Sequence, residues 1–261
     1  MLAIKEFEIT KQDWSDDSLT EFINTLYAER EEGGKAFIDC HKPFSQDVAS
    51  ELIWYSIFHC DKFDSTEIIE MLIQNGFNPS YRKDGSSSLL YWASIISSDT
   101  FSKLMVEHGV DPNALASVRH NQLPLNLVSS ASRNAPIENF MYVLSVTSDN
   151  HINHKDDDGR TPVMSLVSSD RQDLKAFNAI MQRGADVRIP DNDGCDCLLV
   201  AAYRMSEIYL EKLLEMYTQN NWNVDWDKLV EIIKEEHTSS LENDNLVSDC
   251  LAIVSKFRGE L

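Results

Sequence analysis

Asp156–Val167, DDDGRTPVMSLV, is the stretch on which the reading of this chain turns. Asp158-Gly159 is a turn pair, because glycine enters the left-handed backbone region without a Cβ clash. Thr161 then stands one position before Pro162. A threonine oxygen there can accept a first-turn N–H, and proline is tolerated at the first helical position because its missing N–H has no intrahelical partner anyway. The spacing predicts a tight turn running directly into a short apolar helix.

Three other stretches align with it. DGSSSLLYWAS begins at Asp84, NQLPLNLVSSA at Asn121 and DGCDCLLVAAY at Asp193. Marking the proline position in each gives Ser88, Pro124, Pro162 and Cys197, spaced 36, 38 and 35 residues apart. Stacked helical-hairpin repeats fall at about 33 to 47 residues. A second amphipathic stretch follows each first helix in phase: Ile68–Gln74, Phe101–Glu107, Phe140–Val146 and Phe177–Gln182. The first of these carries Ile68, Ile69, Leu72 and Ile73 at helical spacing. Gly76, Gly109 and Gly184 sit where those helices must stop. One such hairpin cannot bury its apolar face alone; stacking on neighbours completes it.

These segments resemble ankyrin repeats, whose pattern is roughly D-x-x-G-x-T-P-L-H-x-A-A, a second helix, then G-A-D-hydrophobic-N. Asp156–Val167 with Arg183-Gly184-Ala185-Asp186-Val187 matches best. The unit from Asp193 contributes Leu198–Ala202, and that from Asp84 ends in His108–Asn113. An earlier degenerate unit uses Leu52–Phe58 and Thr66–Gln74 and ends in Asn75–Asn78. The resemblance spans about residues 45–222 and implies an all-α solenoid of about five helix-turn-helix units. The family histidine is replaced by Leu90, Asn126, Met164 and Leu199, and its small pair by Trp92-Ala93, Val128-Ser129 and Leu166-Val167. Bulk at those positions is expected to push neighbouring helices apart. The turn Ser129–Ile137 is also longer than usual for the pattern.

The ends read differently. Residues 1–44 are expected to form an N-terminal cap, with an extended stretch at Ile4–Thr10 and a helix over Asp16–Glu32. Residues 223–261 are expected to form a C-terminal cap of two helices, Trp226–Glu236 and Leu246–Phe257, around a polar linker.

With 43 acidic against 23 basic residues the formal charge is -20. That balance disfavours DNA, RNA and anionic lipid, each of which needs phosphate neutralised by Lys or Arg. The start MLAIKEFEITKQDW lacks the apolar run of a signal peptide, and Leu52–Phe58 and Leu198–Ala202 are too short to cross a bilayer. Five scattered cysteines give no disulfide framework. A soluble, cytoplasmic protein is expected, in its own cell or in a host cell.

Little of the chemistry points to catalysis. Cys195-x-Cys197 lacks the second ligand pair a zinc site needs and falls where cysteine serves as a small apolar filler. His151 and His154 with Asp156, Asp157 and Asp158 read as a solvated loop, without the alternating spacing of a calcium loop. Cys40-His41 and His59-Cys60 would make a cysteine hydrolase only if a thiol and imidazole met in space with an orienting third group. No phosphate-cradling glycine motif is present, and no cofactor or metal is expected.

The resemblance implies that a partner protein sits against loop fingers and the open side of the first helices. By position the fingers are Tyr81-Arg82-Lys83, Val118-Arg119-His120, Lys155-Asp156-Asp157 and Arg188–Asp191. The helix faces offer Tyr91, Ile95, Ser130, Ser168, Tyr203 and Arg204, and Tyr and Arg are frequent binding hot spots. Tyr91 and Tyr203 have an equally simple reading as packing between units. Basic finger tips in an acidic chain suggest a positive stripe suited to an acidic peptide. An adaptor is the leading expectation. A delivered bacterial effector, suggested by the acidic stretch from Glu235-Glu236 to Asp249, and a hydrolase at Cys40 or Cys60 are the alternatives.

Overall fold

The computed structural model describes residues 45–58, 66–82, 87–96, 99–130, 136–239 and 244–259, with isolated positions 21, 24, 25, 36 and 39 before them. The expected N-terminal cap, together with Cys40 and Cys60, therefore lies outside the described residues, those isolated positions apart. The described residues are all-helical, and no strand occurs among them. In chain order the α-helices are α1 (Gln46–Phe58), α2 (Thr66–Gln74), α3 (Leu89–Ile96), α4 (Asp99–Glu107), α5 (Pro124–Ser130), α6 (Ile137–Val146), α7 (Pro162–Ser168), α8 (Leu174–Gln182), α9 (Cys197–Tyr203), α10 (Glu207–Gln219), α11 (Trp226–Ser239) and α12 (Asp244–Arg258).

Each odd-numbered helix begins at a cap that the sequence supplies within one turn. Ser45, Ser88, Thr161, Asp196 and Asp225 accept the N–H of the residue three positions on, at 3.2, 3.1, 3.4, 3.0 and 3.1 Å. α5 has Leu123 at that position and solves the problem from the other side. Asn126, in its first turn, reaches back to accept Leu123 N–H at 3.1 Å, which is half of a capping box. The second helices start two or three residues earlier than their apolar pattern suggests. At α8 the reason is Asp173, whose carboxylate accepts from Lys175 N and Ala176 N. Gly76, Gly109 and Gly184 end their helices at φ values of +98°, +90° and +87°. The C-terminal helices also run longer than expected, so the polar linker between them shrinks.

Helices pair along the chain, α1 with α2 through α11 with α12. Odd helices pack on the next odd helix along the whole described row, and α2 on α4, α4 on α6, α6 on α8 and α10 on α12. α8 and α10 meet through the rings of Phe177 and Tyr209, 5.6 Å apart, and a 2.8 Å bond from Asp173 N to Tyr209 Oη. Trp92, one of the bulky replacements, meets Trp54 edge to face at 5.9 Å between α3 and α1. Among the described residues, no helix is long and apolar enough to cross a membrane.

Candidate binding surface

The loops that precede the odd helices form one hydrogen-bonded ladder. In the first finger, Arg82 donates to Leu115 O and, at 3.3 Å, to Ala116 O, while Ser88 N donates to Ala116 O at 2.8 Å. The second finger is a tight reversal in which Ser117 and Gln122 form an isolated antiparallel bridge, with Asn121 in the left-handed region at φ 50°. It binds the third finger through Asn121 Nδ2 to Lys155 O at 2.9 Å and His154 Nε2 to Asn121 O at 2.7 Å. Asp157 N closes the same seam on His120 O at 3.2 Å. The fourth finger joins through Asn192, whose N donates to Asp158 O at 3.0 Å and whose Nδ2 donates to Asp157 O at 2.7 Å. Lys155 Nζ adds a bond to Pro190 O at 2.6 Å. Each rung joins residues about one repeat apart. Because backbone groups are satisfied from finger to finger, the tips are held in a fixed order.

Several residues expected in the binding face are engaged with groups of their own chain, Arg82 within this ladder and the others outside it. Tyr81 is half-buried against the α1–α4 core and donates its hydroxyl to Asp47. Arg82 is half-buried on carbonyls, and burial lowers its pKa. Arg188 pairs with Asp186 through Nε and Nη2, both at 2.9 Å, and lies 4.6 Å over the Trp222 ring. That hydrogen bond from Arg188 holds the Asp186 carboxyl below its ordinary range. Arg204 pairs with Asp170 at 3.0 Å. Tyr91 is half-buried and meets Trp92 edge to face at 4.9 Å, so its ring packs within α3. Lys83 and the side chain of Ile95 lie outside the described residues.

What projects is a shorter set. Val118 is 55% and Tyr203 61% exposed. Arg119, His120, Lys155, Asp157 and Ser130 are exposed too, as are the ion-paired Arg188 and Arg204, while Ser168 is half-buried. Exposed Arg119 and His120 stand together on the second finger, the third finger exposes Lys155 and Arg160 beside Asp157 and Asp158, and the fourth exposes Arg188 and Asp193.

Sequence reasoning missed Leu174 and Ile208, 38% and 42% exposed. Each neighbours a member of the Asp173–Tyr209 bond, and Tyr203 is one residue from the Arg204–Asp170 pair. These exposed apolar residues thus lie near the α7–α8 and α9–α10 turns, which those two polar contacts join. The sequence points to a binding face on the fingers and the first helices, whereas both residues lie in the first turn of second helices. Asn192 and Asn153 were missed as ladder ties for a different reason: their partners are some thirty residues away in sequence. Among the described residues the thiols are free, at Cys195, Cys197 and Cys250. Cys197 is fully buried, which pushes its ionisation well up, and Cys250 is pushed up to about 12 by burial. His151 binds Ser148 Oγ at 2.7 Å. No protein-family model matches the chain, and no curated protein sequence matches it.

Proposed function

We propose that this chain is an ankyrin-type solenoid that binds a partner protein along its row of fingers. The observation that carries the reading is the ladder from Arg82 to Asn192, which holds exposed side chains on successive tips at a spacing of one repeat. Such pre-organisation lowers the ordering cost of association. The cap at Thr161-Pro162, the glycine helix stops and the odd-on-odd packing support the ankyrin assignment. Asn126 supports it further. It stands at the family's histidine position and donates from Nδ2 to His154 O and Arg160 O, both at 3.4 Å, so an amide ties neighbouring turns where an imidazole otherwise would. Of the expected basic stripe, the exposed Arg119, His120 and Lys155 offer the place for an acidic segment of the partner. Free thiols at Cys195, Cys197 and Cys250 and scattered cysteines fit a reducing cytoplasm.

The test is comparative capture of cellular proteins by the wild-type chain, a finger variant (Val118→Asp with Arg119→Ala and Tyr203→Ala) and a second-helix control (Glu138→Ala with Lys175→Ala). Proteins lost about tenfold with the finger variant and retained by the control are expected, since hot-spot truncations cost about 1–2 kcal/mol or more. Identical recoveries from all three would remove the fingers from the binding face.

A further inference from the structure

Among the described residues, most of the buried apolar side chains fall into two clusters, with Ala116, Leu123 and Leu127 in neither. One runs from Ala49 to Val110 on α1–α4, the other from Leu125 to Val254 on α5–α12. α3 packs on α5 and α4 on α6, so the halves touch. The contact is rich in polar groups. Asn139 of α6, 2% exposed, donates from Nδ2 to Ala93 O at 3.1 Å and Ser94 O at 2.7 Å and accepts Ser102 Oγ at 2.7 Å. Ala93 and Ser94 lie in the last turn of α3, where helix carbonyls lack an intrahelical donor. The carboxamide of one pair therefore completes the helix end of the pair before it. Ser94, Ser102 and Ser129 are buried with it. Nearer the surface the same boundary is bridged by Lys103 over the Tyr142 ring at 5.7 Å and by Ser148 N to Asn113 Oδ1 at 2.8 Å.

In a row of repeats, cooperativity depends on the nearest-neighbour interfaces. Apolar burial couples neighbours strongly, whereas protein hydrogen bonds largely replace bonds to water and couple them less. A polar contact between two apolar clusters is where cooperative opening divides.

We propose that the polar layer around Asn139 divides the chain into two blocks, 46–110 and 124–258, that open independently, with the finger at 111–123 as the strap between them. The strap is bonded to both sides, by Ser88 N to Ala116 O and by Asn121 Nδ2 to Lys155 O. Opening or flexing at the layer changes the angle between the first finger and the rest of the ladder. The division holds whatever the fingers bind.

Hydrogen exchange of the full-length chain, read by mass spectrometry, tests it with mild core variants that remain folded. Ile180 and Ile69 are fully buried, one in each block. Ile180→Val is expected to lower protection of the slowest amides in 124–258 about three- to tenfold and to leave those in 46–110 within about twofold. Ile69→Val is expected to lower protection in 46–110. Asn139→Ala is expected to lower protection in 46–110 while amides in 162–258 hold. An equal loss in both segments from Ile180→Val would overturn the division. Unchanged protection of 46–110 in Asn139→Ala would remove the layer as the coupling element.

Discussion

Gly159 shows how much one position can depend on a neighbour a repeat away. At φ +78°, a Cβ added there would lie 2.5 Å from Asn192 Oδ1 and 2.7 Å from Asn192 N. Gly184, at φ +87°, has nothing within 4 Å of the same point. Gly184→Ala carries left-handed strain alone, about 1 kcal/mol. Gly159→Ala carries that strain and also dislodges Asn192 from Asp157 O and Asp158 O, for a further 1–3 kcal/mol or so. Calorimetric melting should rank Gly159→Ala clearly below Gly184→Ala; equal melting temperatures would mean that the fingers do not approach so closely in solution. The turn at Asp158-Gly159 was readable in the sequence from its dipeptide. Its contact with Asn192 was not, because nothing local to either residue encodes the other. Tyr81 and Arg82 make the same point in reverse. Their residue types suggest a binding face, yet a half-buried setting commits their polar heads to Asp47 and to the carbonyls of Leu115 and Ala116.

At the scale of the element, caps were the most legible feature, since an N-cap and its N–H partner lie three residues apart. Thr161 follows directly from that rule, the cap of α3 falls on Ser88 itself, one residue past the position aligned with Thr161, and α5 departs from the rule because Leu123 has no side-chain acceptor. Asp196 carries more than a cap. One carboxylate oxygen accepts Leu199 N at 3.0 Å and the other accepts Tyr217 Oη at 2.6 Å, which ties the end of α10 to the start of α9. Burial, then this hydrogen bond, keeps the Tyr217 phenol protonated far above its ordinary range. Asp225 caps α11 at 3.1 Å. Asp196→Ala is therefore expected to cost about 2–3 kcal/mol, from a lost cap plus a stranded buried hydroxyl, against about 1 kcal/mol for Asp225→Ala. Urea midpoints of the two variants check this, and equal shifts would show that the Tyr217 bond contributes nothing.

The whole molecule carries 43 acidic and 23 basic residues, and among the described residues ion pairs such as Arg204–Asp170 and Lys256–Glu211 are exposed. Exposed pairs contribute little, about 0–1 kcal/mol each, while like-charge repulsion acts over the entire surface. Screening should then stabilise the fold. Raising NaCl from about 10 mM to about 300 mM shortens the Debye length from about 30 Å to below 8 Å. The melting temperature is expected to rise by several degrees. A flat or falling curve would show that local pairs outweigh the global repulsion.

Read alone, the sequence determined the helical character of the described residues, the places where most helices begin or stop to within two or three residues, and a recurrence of helix-start signals at intervals of 35 to 38 residues. Those properties rest on dihedral preferences, caps and apolar phase, all set within a turn or two of the residue concerned. Only tertiary structure decided which finger residues project, how the fingers bond to one another, and where the apolar core gives way to Asn139 and its serines. Those outcomes come from groups some thirty to forty-five residues apart that meet when neighbouring pairs stack, and burial and hydrogen-bond satisfaction are properties of the meeting.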